Sequence, residues 1–291
     1  MSNNKDINTY GDFRIYNNCL IPNVAPNEIP NISDVKSKLK SDNLYLARWT
    51  DSFDSEDSKK IGQWWYLIKD GKWDLSELKS HDRNEIKKGV KNFECRIIDI
   101  NDYIQKLYEV YNSASAEYSS LSNNVLSFDD YKNTFNENTI VIGAFDKEDD
   151  ELSAYATVYY YNKTNGFLSN AVNLNVLKIA PEKKKKSPSA ALMNYVCEYF
   201  LNEKKVDYIC DGERSIRHVT NFQNYLEKYF GFKKVYCRLN VVYNNKIKIL
   251  VKVLYPFRKI ILKFSKINKK IYNIYVILKQ EEIVKSFKNR G

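Results

Sequence analysis

The stretch Ala171-Val-Asn-Leu-Asn-Val-Leu-Lys-Ile-Ala-Pro-Glu-Lys-Lys-Lys-Lys-Ser-Pro-Ser-Ala190 decides the fold. Val172 to Ala180 is β-branched and partly alternating, which predicts a strand. Pro181 to Ser189 breaks it. From Ala190 to Leu201 the residues Leu192, Tyr195, Val196, Tyr199 and Phe200 recur at helical spacing. Val206-Asp-Tyr-Ile-Cys210 reads as a second short strand, and Thr220 to Phe230 as a second helix that Gly231 stops. A strand that feeds a basic, serine-rich loop at a helix N-terminus is a place to hold phosphate. The free N–H groups and the helix dipole both favour an anion there.

Outward from this segment the pattern continues. Leu44 to Trp49 and Trp64 to Ile68 read as strands on either side of a charged loop, Asp51 to Lys60. Asp74 caps a helix that runs to about Val90, with Leu75, Leu78, Ile86 and Val90 on one side. Asp102 to Tyr118 is a helix with the apolar stripe Tyr103, Leu107, Val110, Tyr111 and Ala114. Phe128 to Phe135 is a shorter one. Thr139 to Phe145 and Leu152 to Tyr161 form a hairpin across the acidic turn Asp146 to Glu151. Phe167 to Ala180 follows an Asn165-Gly166 turn signal. Val235 to Tyr243 reads as one last strand, and Phe13 to Ile21 as a first one in an otherwise polar N-terminal stretch. The order from residue 102 on is helix, helix, strand, strand, strand, helix, strand, helix, strand. It predicts an α/β protein with a mixed sheet and helices on both faces.

That order resembles the acyl-CoA-binding half of the GNAT superfamily of N-acyltransferases, whose pyrophosphate loop follows a Gln/Arg-x-x-Gly-x-Gly/Ala pattern. Lys184-x-x-Ser187-x-Ser189 falls on that pattern, and Gly231-Phe232 is similar to the family's closing Gly-Phe. Both loop glycines are serine here, and Pro188 removes one backbone donor. The upstream run around Trp64-Trp-Tyr-Leu-Ile-Lys-Asp70 and Arg83 resembles the N-terminal half of tandem GNAT-like chains, including the Fem-type peptidyltransferases of cell-envelope synthesis. The resemblance implies a GNAT-like acyl-CoA N-acyltransferase fold. It divides the chain into a partial GNAT-like half at 1–100, an acyltransferase domain at 101–243 and a basic helical tail at 244–291. It implies acyl-CoA (acetyl-CoA) as co-substrate, bound by Lys183, Lys184, Lys186, Ser187 and Ser189 without a metal. It also implies an amine acceptor such as an amino sugar or another envelope precursor.

The run Asp211-Gly-Glu-Arg-Ser-Ile-Arg-His-Val-Thr-Asn221 leaves the C-terminal end of a strand, where open α/β sheets place ligands. An amine must lose a proton to attack a thioester, and a carboxylate or a histidine takes it. Asp211, Glu213 and His218 are the candidates. The family often places a tyrosine on the following helix as acid for the leaving thiolate. Glu227 occupies that position here, with Tyr225 and Tyr229 to either side, and Tyr229 is the candidate. Trp64, Trp65, Trp73 and Arg83 are acceptor-groove candidates, with core packing the commoner role for tryptophan.

Composition bounds the function further. The 291 residues carry a net charge of +10 and are 43% hydrophobic, enough for a core. From Lys246 to Gly291 there are 13 Lys or Arg and 2 Asp or Glu, while the remainder has 33 and 34. A body so close to neutral is no diffuse nucleic-acid binder, and no nucleic-acid partner is expected. No run of apolar residues in the tail is long enough to span a bilayer, so it either lies on an anionic membrane surface or packs on the body. Five scattered cysteines without a CxxC pair indicate neither disulfides nor zinc, and the polar N-terminus lacks a signal peptide. A cytoplasmic protein is expected, peripheral to the membrane if the tail binds it. Two alternatives share the fold: a Fem-like transferase that uses aminoacyl-tRNA, and a non-catalytic GNAT-like binding module.

Overall fold

The computed structural model describes residues 9–116, 125–216, 221–265 and 268–288. Its strands are β1 (Thr9–Tyr10), β2 (Phe13–Tyr16), β3 (Cys19–Pro22), β4 (Leu46–Asp51), β5 (Trp65–Asp70), β6 (Phe93–Ile98), β7 (Thr139–Asp146), β8 (Leu152–Tyr161), β9 (Ala171–Ile179), β10 (Tyr208–Glu213), β11 (Lys233–Tyr236) and β12 (Arg238–Tyr243). Its α-helices are α1 (Val35–Ser41), α2 (Glu56–Ile61), α3 (Ser80–Asn92), α4 (Ile100–Ala116), α5 (Phe128–Lys132), α6 (Pro188–Cys197), α7 (Asn221–Phe230), α8 (Asn245–Leu254), α9 (Arg258–Ser265) and α10 (Lys269–Lys288). The chain divides into two compact units, both discontinuous. Met1–Leu67, Glu213–Thr220 and Lys234–Gly291 form the first; Ile68–Gly212 and Asn221–Lys233 form the second.

The first unit holds a five-stranded sheet of order β1-β2-β3-β4-β12. Phe13, Leu20, Val35, Leu39, Leu44 and Ala47 make its core. The predicted strand Phe13 to Ile21 is two strands. Asn17 and Asn18 both take positive φ, 49° and 58°, and close a hairpin, as Asn does more readily than other side-chain residues. The charged loop Asp51 to Lys60 contains α2. Ser55 caps it by accepting from the Ser58 N–H, Glu56 and Asp57 face the positive end of the dipole, and Gly62 ends it at φ 60°. The predicted strand Val235 to Tyr243 breaks at the buried Cys237, so β11 and β12 belong to different sheets. In the tail, α10 packs on β12 and buries Leu278, Ile283 and Val284. No described helix is long and apolar enough to cross a membrane.

The other sheet is mixed and seven-stranded, of order β11-β5-β10-β9-β8-β7-β6, and its strands β6 to β9 lie wholly in the second unit. β6 to β9 are antiparallel neighbours, and β9 and β10 run parallel. On one face Val141, Phe145 and Tyr155 pack with Leu107 and Val110 of α4. Ile142, Ala144, Ala154 and Ala156 alternate to the other face and are also buried, where α6 lies against β6, β7 and β8. The helix expected from Asp74 begins with a separate 3-10 turn, Leu75–Glu77, whose cap is Asp74. The buried side of α3 is Asp82, Ile86 and Gly89, whereas Val90 is 41% exposed. Close approach explains the shift: a Cβ on Gly89 would lie 2.6 Å from the Ser187 carbonyl oxygen and 2.8 Å from the Ala191 nitrogen. α3 therefore sits directly on the N-terminus of α6.

Candidate active site

The second unit has an opening in its sheet. β9 and β10 pair at Ala171, Val172 and Asn173 with Tyr208, Ile209 and Cys210, and the pairing stops there. β9 continues to Ile179, still paired with β8 on its other edge. Val158 pairs with Leu174 and Thr157 with Val176, so Asn175 is a bulged residue that bends β9 at the point of divergence. From Leu174 onward one edge of β9 has no β10 partner. Asn175 and Val176 are exposed there. A strand edge past the end of its pairing is a place where an extended ligand can add.

Asp211 is the first residue of β10 past the last pair. Its carboxyl is half-buried, and burial pushes its pKa up to about 7 against a hydrogen bond from Gln223 of α7 that pulls the other way. None of the described ion pairs includes it. Gly212 follows at φ 86°, a left-handed turn that a side chain would strain, and its N–H donates to the buried Cys210 Sγ at 3.1 Å. Asp211 is thus a half-buried carboxyl whose pKa burial raises and that lies outside the described ion pairs.

The same helix carries the tyrosines. The Tyr225 hydroxyl is buried without a hydrogen bond of normal geometry, next to Ser189, and burial raises its pKa to about 12. Tyr229 stacks on His81 with ring centroids 6.2 Å apart and packs at a tilt against Tyr225 at 5.0 Å. Its hydroxyl accepts from Lys228 Nζ at 3.0 Å. His81 Nδ1 lies 3.3 Å from the buried Asp82 carboxylate. The sequence reading passed over His81 and Asp82. Their signal was present: one of the chain's two histidines beside an acid in the first turn of a helix.

The lysine loop has a structure of its own. Pro181–Lys186 winds as a 3-10 helix, and Ser187, at φ 65° and buried, turns the chain into α6. Lys183 Nζ donates to Asp146 at 2.7 Å and to Asp149 at 2.6 Å. Lys186 Nζ donates to the same Asp146 oxygen at 2.8 Å and to Glu148 at 2.6 Å. The Asp146 side chain is 1% exposed, and the two ammonium groups hold its pKa down to about 2 against the cost of burial. The Ser187 carbonyl accepts from the Ala190 and Ala191 N–H groups, and Asn92 of α3 donates to the Lys186 carbonyl at 3.1 Å. Lys184 is exposed, and Ser189 stands at the first turn of α6 beside Tyr225.

The remaining candidates lie elsewhere. In the first unit Glu213 pairs with Arg48 of β4, whose guanidinium is 5.6 Å from the centroid of the Trp64 ring. Trp64 is fully buried there. In the second unit Trp73 is buried, stacks on Phe230 at 5.5 Å and donates its indole N–H to Asn194 at 3.0 Å. Both tryptophans are core residues. His218 lies outside the described residues. Among the described residues no group of His, Cys, Asp or Glu is arranged to hold a metal ion. Cys197, Cys210 and Cys237 are buried, and burial raises the Cys197 and Cys237 thiols far above their ordinary pKa.

No protein-family model matches the chain, and no curated protein sequence matches it. Solved structures do. The crystal structure of FemX superposes with a TM-score of 0.54 at 8% identity, covering 77% of this chain and 77% of that one. The C-terminal domain (DUF2156) of a putative lysylphosphatidylglycerol synthetase from Agrobacterium fabrum superposes with a TM-score of 0.50 at 12% identity, covering 83% and 82%. A tandem GNAT protein from the clavulanic acid biosynthesis pathway matches at a TM-score of 0.40 and 11% identity, over 72% and 67%. The mixed sheet that parts between β9 and β10, with α4 and α6 on its faces, has a fold similar to that of FemX, on which it superposes over most of both chains.

Proposed function

We propose that the chain is an acyltransferase that passes an activated acyl group to an amine, with Asp211 as the base. The position of Asp211 carries the reading: a half-buried carboxyl without a cation partner stands where β9 and β10 part. An amine at neutral pH must shed a proton before its lone pair attacks a carbonyl carbon. A base of pKa near 7 is both deprotonated and strong enough to take that proton, directly or through one water. The attacking nitrogen forms the new bond to carbon, and the carbonyl oxygen takes the electron pair. The backbone N–H groups of β9 past Asn173, where the β10 pairing has ended, are the proposed donors for that oxyanion and for an extended donor arm. When the tetrahedral carbon collapses, the bond to the leaving group breaks and its sulfur or oxygen takes a proton. Tyr229, with its hydroxyl beside Lys228, is the proposed source of that proton.

The donor we favour is an aminoacyl ester carried by tRNA, ahead of acyl-CoA. The lysine loop supports this choice. Lys183 and Lys186 are already engaged by Asp146, and α3 covers the N-terminus of α6, so a diphosphate would have to compete for these two cations and for backbone that α3 packs against. The names of the superposed structures support it as well, since lysylphosphatidylglycerol is an aminoacyl compound. Acyl-CoA keeps one observation in its favour, the exposed Lys184 and Lys185 at the rim of the loop. The acceptor is proposed to be an envelope precursor with a free amine.

The test is single-turnover transfer by the full chain, with radiolabelled aminoacyl-tRNA pools and with acetyl-CoA as competing donors, over a panel of amine acceptors. Asp211→Asn should lower turnover by ~10²–10⁴ with little change in donor affinity. Transfer from acetyl-CoA alone would reverse the donor assignment. No Asp211-dependent transfer from either donor would refute the enzyme reading.

A further inference from the structure

Helices α8 and α9 are apolar on two sides. Val251 and Ser265 are buried, and Ile247, Leu254 and Ile261 are half-buried with them. That inward side is enough to seat the pair. Yet Ile249, Val253, Phe257, Ile260 and Phe264 are each more than half exposed. Val253, Phe257, Ile260 and Phe264 follow one another at spacings of four, three and four residues, so they share one outward face. Single exposed apolar residues need no explanation, but a contiguous face of this size marks a binding surface.

The charge around that face is of one sign. Lys246, Lys248, Lys252, Lys259 and Lys263 are all exposed, and none of them is in a described ion pair. No Asp or Glu occurs from Asn244 to Gln280. The two acids that follow, Glu281 and Glu282, are occupied with Lys285, Lys279 and Arg258. The five lysines therefore present an uncompensated positive rim around a hydrophobic centre.

We propose that the outer face of α8 and α9 docks the protein onto an anionic lipid surface, with Phe257, Ile260 and Phe264 inserted below the headgroups and the lysines among the phosphates. A second copy of the chain is a poor occupant, because a self-complementary interface sets lysine against lysine. RNA matches the lysines but leaves the aliphatic and phenyl side chains in water. A bilayer with acidic headgroups satisfies both, and helices of this length lie in its interface without crossing it. The division of labour within the tail follows: α10 packs on β12, and α8 and α9 face outward. This inference rests on no part of the transferase reading.

Flotation of the full chain with vesicles of phosphatidylcholine alone, and of phosphatidylcholine mixed with phosphatidylglycerol, tests it. Binding to the mixed vesicles only, weakened by salt, is expected. Lys252→Gln, Lys259→Gln and Lys263→Gln together should weaken it roughly a hundredfold, each lysine accounting for about fivefold. Phe257→Ser, Ile260→Ser and Phe264→Ser together should abolish stable flotation while far-UV dichroism stays unchanged, and Asp211→Asn should float like the parent. A parent chain that ignores both vesicle types overturns the proposal. So do variants that float like the parent, a parent dimer that the serine variant converts to monomer in light scattering, or retention by RNA in place of vesicles.

Discussion

If the lysine loop is held shut by its ion pairs, removing Lys183 and Lys186 should act on stability and not on ligand affinity. The Asp146 carboxylate is 1% exposed and accepts from both ammonium groups, at 2.7 and 2.8 Å, and from the Glu148 N–H at 3.2 Å. Replacing both lysines with Met would leave a buried charge with one backbone donor. Breaking a buried pair from one side costs roughly 3–5 kcal/mol. The Lys186 side chain is 30% exposed, so water partly replaces it, and ~2–4 kcal/mol is the expected loss. Adding Asp146→Asn should return most of that loss, because no buried charge then remains. Urea denaturation at neutral pH measures both steps as shifts in midpoint. The pH dependence supplies a second readout. The folded-state pKa of Asp146 is held down to about 2 from an ordinary 3.8. Its stabilisation is therefore complete above about pH 4 and is lost as pH falls through about 2. The triple variant, with no carboxylate at 146, should lack that acid-side loss. A lysine double variant with the parent's midpoint, or one that Asp146→Asn makes worse, would refute the reasoning. So would unchanged stability with lost affinity for CoA, which is the outcome a phosphate cradle requires.

Two further outcomes follow from single positions. Gly89→Ala would normally gain up to about 1 kcal/mol in a helix interior, but its Cβ meets Ser187 and Ala191 backbone atoms at 2.6 and 2.8 Å. Overpacking should reverse the sign to a loss of ~1–3 kcal/mol, read as a lower melting temperature; a stabilised variant would show that α3 does not press on α6. Asp211→Asn should be more stable than the parent at alkaline pH even as it loses activity. With the folded pKa raised to about 7 from an ordinary 3.8, the cost of ionising a buried carboxyl builds up as pH rises from about 4 to about 7 and is complete above that, and the amide escapes it. A gain of ~1–3 kcal/mol at pH above 7, shrinking to nothing near pH 4, is expected from differential scanning calorimetry; a variant less stable than the parent at every pH would contradict the burial of that charge.

The elements that local sequence determines were legible in it. The β7–β8 hairpin, the helical stripe of α4 and the strand–loop–helix run through α6 all depend on spacing and turn residues within a short window. α2 was legible too, in Ser55 followed by Glu56 and Asp57, but its charge made it look like a loop. What the sequence could not carry is pairing at a distance. The lysines of the loop look like a ligand site when read alone. Their partners are Asp146, Glu148 and Asp149, on a turn that sequence reading treated only as the acidic tip of a hairpin. Gly89 reads as a mild defect in a helix until α6 is seen against it. Asp211 and Glu213 stand two residues apart in one polar run. Only the register of β9 and β10 and the reach of Arg48 separate a poised carboxyl from a paired one.

The shut loop and the open strand edge bear on one question together. In the proposed reading, the sheet that parts after Asn173 and Cys210 grips an extended arm through backbone groups of β9 and no particular side chain. Recognition of the donor's far end is separable from it, because it resides in the loop before α6. Here Lys183 and Lys186 of that loop answer an internal acid, its serine turn is buried, and its helix N-terminus abuts α3. Opening it for a diphosphate would break two ion pairs at a buried carboxylate and separate two helices in contact. That cost would be subtracted from whatever affinity the diphosphate brings. A donor recognised elsewhere incurs no such cost. The chemistry proposed at Asp211 asks only for an activated carbonyl and an amine, so the proposed reaction is compatible with more than one carrier of the acyl group.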